Sequence, residues 1–135
     1  RQANAMIEVY IDGASAGDPG PSGAGIFIKG HGSVEQYSIP LGMMSNHEAE
    51  FQALIEALKI CKMQGYQIVS FRTDSQAVES AMEKRFAKKQ QYRVLLEEAL
   101  RLSDQLDLFF IKWVPSKENK MADELSRKAI QLNNK

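Results

Sequence analysis

Residues 6–30 read MIEVYIDGASAGDPGPSGAGIFIKG. From Met6 to Asp12 the residues alternate, with Ile7, Val9 and Ile11 on one side and Glu8, Tyr10 and Asp12 on the other. A period of two is the mark of a strand with one buried face. Gly13 to Gly23 is rich in glycine and proline and reads as a loop or chain of turns. Ala24–Ile28 is a second strand, Lys29–Ser33 a hairpin connection and Val34–Leu41 a third strand. Strands joined this closely form an antiparallel meander, and the rest of the fold is built outward from it.

After Gly42 the period changes. Glu50, Ala53, Leu54, Ala57, Leu58 and Cys61 recur at helical spacing, which predicts a helix over 46–64 closed by Gly65. Ser45 with Glu48 three residues on fits a capping box. Tyr66–Asp74 reads as a strand, Ser75–Met82 as a short helix, 91–105 as a longer helix, Leu106–Val114 as an apolar strand and Asn119–Leu132 as a last helix. This order implies an α/β fold. Its sheet is mixed, with helices packed on it, because the later strands need helical crossovers. Residues 6–132 form one domain, 133–135 a tail, and 1–5 an expression remnant or lead-in.

The 135 residues hold 17 Lys and Arg against 17 Asp and Glu, and 44% are apolar. Zero formal charge argues against nucleic-acid binding by bulk charge alone, though not against a local basic patch. The single cysteine, Cys61, excludes an internal disulfide and a cysteine-based zinc site. No run approaches the roughly 18 apolar residues of a membrane span. A cytoplasmic monomer without membrane contact is the expectation.

Four carboxylates occupy unusual places. Asp12 and Asp74 each end a strand, where open α/β sheets bind ligands, although turn-starting and helix-capping are ordinary uses for either. Glu50 lies on the apolar stripe of its helix, and a carboxylate facing the sheet needs a partner or a metal. Asp123 sits in the first turn of the last helix, where the dipole alone would favour it. An all-oxygen donor set of this kind suits Mg²⁺ or Mn²⁺, and two such ions clamp the oxygens of a phosphoryl transfer.

Tyr-Ile-Asp-Gly-Ala-Ser-Ala-Gly-Asp-Pro-Gly-Pro-Ser-Gly-Ala-Gly (Tyr10 to Gly25) resembles the first-strand signature of type 1 ribonuclease H. Ser45-Asn46-His47-Glu48-Ala49-Glu50 is similar to that family's Thr-Asn-Asn-x-x-Glu, Thr73-Asp74-Ser75-Gln76 to its Thr-Asp-Ser-Gln, and Asn119-Lys-Met-Ala-Asp123 to its Asn-x-x-Ala-Asp. The resemblance implies the ribonuclease H fold, a five-stranded mixed sheet with the first three strands antiparallel, the last two parallel to the first and helices on both faces. It also implies a metal-dependent endonuclease that cuts the RNA strand of RNA–DNA hybrids, leaving 3′-hydroxyl and 5′-phosphate ends. It implies Asp12, Glu50, Asp74 and Asp123 as catalytic, metal-holding residues for two Mg²⁺ or Mn²⁺ ions. Asp12 would bridge the two, Glu50 and Asp74 would hold the ion on the leaving-group side, and Asp123 the ion that activates water.

The same resemblance makes Gly13, Ala14, Ser15, Asp18, Asn46, His47, Gln76 and Asn119 candidate hybrid-binding residues. Lys84, Lys88 and Lys89 join them from the basic stretch 84–93, where Phe86 and Tyr92 are interleaved. Asp18 and His47 stand where many members carry Asn, and Val114–Glu118 lacks the loop histidine of the best-known bacterial enzymes. Trp113, ending an apolar strand, is expected in the core. A weakly active or inactive hybrid- or RNA-binding module on the same fold is the alternative reading.

Overall fold

The structure, a computed structural model, describes residues 6–134; the expected lead-in at 1–5 lies outside them. Five strands, β1 (Ile7–Ser15), β2 (Gly20–Gly30), β3 (Ser33–Met44), β4 (Ile68–Thr73) and β5 (Leu108–Trp113), form one sheet in the order β3-β2-β1-β4-β5. β1, β2 and β3 are antiparallel neighbours, while β4 runs parallel to β1 and β5 parallel to β4. The parallel pairs are reached by crossovers through the helices α1 (Asn46–Gln64), α2 (Gln76–Lys84) and α3 (Gln90–Ser103). A 3-10 turn at Ser116–Glu118 leads into α4 (Lys120–Leu132).

The capping box is present in full: Ser45 Oγ accepts from Glu48 N, and Glu48 Oε1 accepts from Ser45 N at 2.9 Å. Gly65, at φ 77°, closes α1 in the left-handed region. Odd-numbered residues of β1 face α1. Val9, Ile11, Leu54, Leu58, Val69 and Phe71 pack there at 0–1% exposure, each burial contributing about 1.5–3 kcal/mol. Even-numbered residues of β1 share the opposite face with α4, which buries Ala122, Leu125, Ser126 and Ala129.

Two corrections concern the glycine-rich segment and the C-terminus. The segment 13–23 is not a run of turns. β1 continues to Ser15, β2 resumes at Gly20, and Gly13↔Ala24 and Ala14↔Gly23 are ladder partners. Its glycines serve close packing instead. A Cβ on Gly13 would stand 2.0 Å from the Ala49 carbonyl of α1, one on Gly23 would stand 2.6 Å from the Ser126 carbonyl of α4, and just beyond the segment one on Gly25 would stand 2.1 Å from the Ala122 carbonyl. Asn133, expected in a tail, belongs to the domain: its Nδ2 donates to the Ser22 carbonyl at 2.7 Å, and its Oδ1 accepts from Gly42 N at 2.9 Å.

Candidate active site

The four carboxylates come from four elements that meet at one edge of the sheet. Ile11 and Thr73 are partners in the parallel β1–β4 ladder, so Asp12 and Asp74 follow side by side. Close contact of α1 with Gly13 brings Glu50 over the same edge, and Gly25, the partner of Asp12, admits the first turn of α4 with Asp123. For three of them the ordinary structural uses are taken by other residues or absent. Ser75, not Asp74, caps α2; Glu48, not Glu50, completes the capping box; and β1 runs three residues past Asp12 before any turn.

Burial among like charges governs the chemistry. The Asp12 carboxyl is raised from 3.8 to about 7, first by burial and then by Asp74, Asp123 and Glu50, against the hydrogen bond it accepts from Ser126 Oγ at 2.6 Å. Burial also raises the Glu50 carboxyl, opposed by the Ser75 hydroxyl and by His47, whose Nδ1 lies 3.4 Å from Glu50 Oε1. Asp123 pairs with Arg127 at 2.8 Å.

Among the described residues no three His, Cys, Asp or Glu side chains converge tightly enough to grip an ion as they stand. Three of the four carboxylates are instead drawn toward separate protein partners: Ser126, His47 and Arg127. The donor set nonetheless fits divalent cations. It is all oxygen, and a hard cation offsets both the burial that raises Asp12 and the neighbouring negative charge that adds to it.

Around the carboxylates, His47, Glu50, Asp74, Ser75, Gln76 and Trp113 line a cleft of about 360 Å³. Asn46 and Gln76 are exposed, and Asn46 Oδ1 accepts from Ser15 N at 3.3 Å. Ser15 Oγ lies 2.6 and 2.8 Å from the carbonyls of Gly17 and Met44. Asp18 is exposed in the turn between β1 and β2. A second cleft, about 380 Å³, opens beside Lys84, Phe86, Lys88, Lys89 and Tyr92. Arg85 and Arg93 are spent on Asp104 and on the Ala87 and Lys88 carbonyls, which leaves those three lysines exposed.

Several expectations are corrected here. Asn119 is 1% exposed, and its Nδ2 donates to the Ile11 carbonyl at 2.8 Å. It holds the start of α4 against β1. Gly13 is buried beneath α1, and both it and Ala14 are engaged in the β1–β2 ladder, so the close packing of α1 on the sheet accounts for the glycine at 13. Trp113 is 43% exposed, and its Nε1 donates to the Asp74 carbonyl at 3.2 Å. The apolar run hid it; only the Thr73↔Trp113 register sets the indole beside Asp74.

The profile of a family described as reverse transcriptase-like matches residues 10–129. The ribonuclease H of a Cyanothece species is 32% identical, over 82% of this chain and 76% of its own length. The chain belongs to the ribonuclease H family. In structure, this ribonuclease H homologue matches RNase H1 of the halophilic archaeon Halobacterium salinarum at a TM-score of 0.88, with 30% identity over 94% of this chain and 98% of that one. LC11-RNase H1, solved in complex with an RNA/DNA hybrid, matches at 0.86 with 27% identity over 96% and 99%. EbsB of Enterococcus faecalis, named as a hydrolase, is 43% identical over 93% of this chain and 95% of its own length. The ribonuclease H fold expected from the sequence, with β4 and β5 parallel to β1 and helices on both faces, is the fold observed. No helix among the described residues is long and apolar enough to cross a membrane.

Proposed function

We propose that this chain is an endoribonuclease that hydrolyses the RNA strand of RNA–DNA hybrids, with two Mg²⁺ or Mn²⁺ ions, leaving 3′-hydroxyl and 5′-phosphate ends. The observation that carries the reading is the cluster of Asp12, Glu50, Asp74 and Asp123 at one sheet edge, where burial first and the neighbouring carboxylates second hold Asp12 up at about 7. The hybrid bound to LC11-RNase H1, a relative covered almost end to end, supports the substrate class. The protein is proposed to act as a cytoplasmic monomer.

Asp12, Glu50, Asp74 and Asp123 would hold the ions, which supply electrostatic stabilisation to the attacking and leaving oxygens of an in-line displacement. The chain's own residues do the rest. Asn46, Gln76 and His47 offer hydrogen-bonding groups for the 2′-hydroxyls that separate RNA from DNA. Lys84, Lys88 and Lys89 offer charge to the backbone of the partner strand, beside the faces of Phe86 and Tyr92. Trp113 lines the cleft next to Asp74.

The test is cleavage of end-labelled RNA–DNA, RNA–RNA, DNA–DNA and single-stranded RNA substrates with Mg²⁺, Mn²⁺ or EDTA. Cutting confined to the RNA strand of the hybrid, dependent on metal and lost in Asp74→Asn, is the expected result. Hybrid binding without cutting under either metal would move the chain to the binding-module reading.

A further inference from the structure

We propose that the sheet face shared by β4 and β5, on the side of α4, binds a single strand of nucleic acid, a function separate from hybrid cleavage at the carboxylate edge. α4 lies across β1, β2 and β3 and leaves that side of β4 and β5 largely uncovered. The pairings Phe27↔Tyr10↔Arg72↔Lys112 put these four side chains in one row across the sheet, on the same face as Asp12. The row lies two residues from Asp12 along β1, a rise of about 7 Å. One further step down, the partners Lys29↔Glu8↔Ser70↔Phe110 form the next row.

Chemistry makes this face unlike an ordinary solvated surface. Phe110 is 48% exposed, and Tyr10 and Phe27 are half-buried, rings tilted against one another at 6.1 Å. Arg72 lies over the Tyr10 ring at 5.4 Å and pairs with Glu8 at 2.9 Å, yet its buried Nε has no partner among the described residues. Two open clefts of about 450 and 240 Å³ meet at Tyr10 and Glu118. Their cations are Lys29, Arg72, Lys112, Lys117 and Lys120, against the anions Glu8 and Glu118 alone. In a chain of zero formal charge, this is a local excess of positive charge interleaved with aromatic faces on an uncovered sheet. That combination takes phosphates and unstacked bases together, which only a single strand presents.

The experiment is fluorescence anisotropy of a labelled 15-nucleotide single-stranded DNA with the whole chain, in EDTA so that no chemistry occurs and hybrid cleavage does not enter. K29E/K112E is expected to weaken binding about tenfold or more and to shallow its salt dependence. Phe110→Ala is expected to weaken it about fivefold or more through lost stacking. Thermal midpoints confirm folding of each variant, and both are expected to keep the parent's initial rate on a blunt hybrid. Unchanged affinity in K29E/K112E would overturn the proposal. A response to the charge changes without one to Phe110→Ala would reduce the face to general polyanion attraction and overturn it as well. Sedimentation showing a parent dimer that both variants dissolve would assign the face to a second copy of the chain instead.

Discussion

Replacing Asp12 by Asn is expected to make the metal-free protein more stable while abolishing hybrid cleavage. The Asp12 carboxyl holds its proton more tightly folded, at about 7, than at its ordinary 3.8. The folded state therefore binds more protons between those values, and stability falls as pH rises through that window. At about 1.4 kcal/mol per tenfold, ionised Asp12 costs the fold on the order of 4 kcal/mol at pH 8. Asn keeps the shape and an oxygen for Ser126, but accepts that hydrogen bond more weakly than a carboxylate. The net gain is expected near 2 kcal/mol at pH 8, read from urea unfolding in EDTA, shrinking toward zero at pH 4. Saturating Mg²⁺ raises the parent's stability, since it binds only the folded chain, and raises that of the variant much less. A variant less stable than the parent at pH 8, or a gap that does not change with pH, would refute the argument that Asp12 is an uncompensated buried charge.

Three other outcomes follow from the same geometry. The chain's single tryptophan, Trp113, lines the cleft beside Glu50 and Asp74, so Mn²⁺ is expected to quench its emission, and Asp74→Asn to weaken that response at least tenfold. Gly25→Ala forces a methyl to within 2.1 Å of the Ala122 carbonyl and is expected to destabilise by at least the 1–3 kcal/mol typical of overpacking, measured by denaturant unfolding. Tyr66 and Tyr37 both donate to Glu35, which holds the Tyr66 phenol up to about 12. That contribution is complete below pH 10 and lost as pH rises through about 12. Glu35→Gln is expected to bring the Tyr66 titration back toward 10 in ultraviolet absorbance.

The parts of the fold legible in the sequence are those set by local chemistry. Helix α1 announces its start through Ser45 and Glu48 and its end through Gly65, and the alternation Ile7-Val9-Ile11 needs no partner to be read. Asp12, Glu50, Asp74 and Asp123 stood out because each fell on a strand end, an apolar stripe or a helix start. What stayed hidden depends on distant partners. The glycines of 13–25 look like turn formers until helices are seen pressing on them. Leu106–Val114 reads as wholly buried, yet one side of β5 is uncovered and Trp113 is out at the cleft. Asn119 resembles a ligand-facing amide in sequence and is an internal tie in the structure.

That tie spans 108 positions of chain, from the Ile11 carbonyl to the Asn119 amide. The other contact that orients Asp12, Ser126, comes from the same late segment. Asp12 is thus held in place by a segment made long after it. A nascent chain that has released β1 through β5 but not α4 holds three of its four carboxylates, with neither Asn119 nor Ser126 to aim the first of them. The four-carboxylate arrangement is therefore complete only once α4 has docked on β1 and both of these contacts have formed.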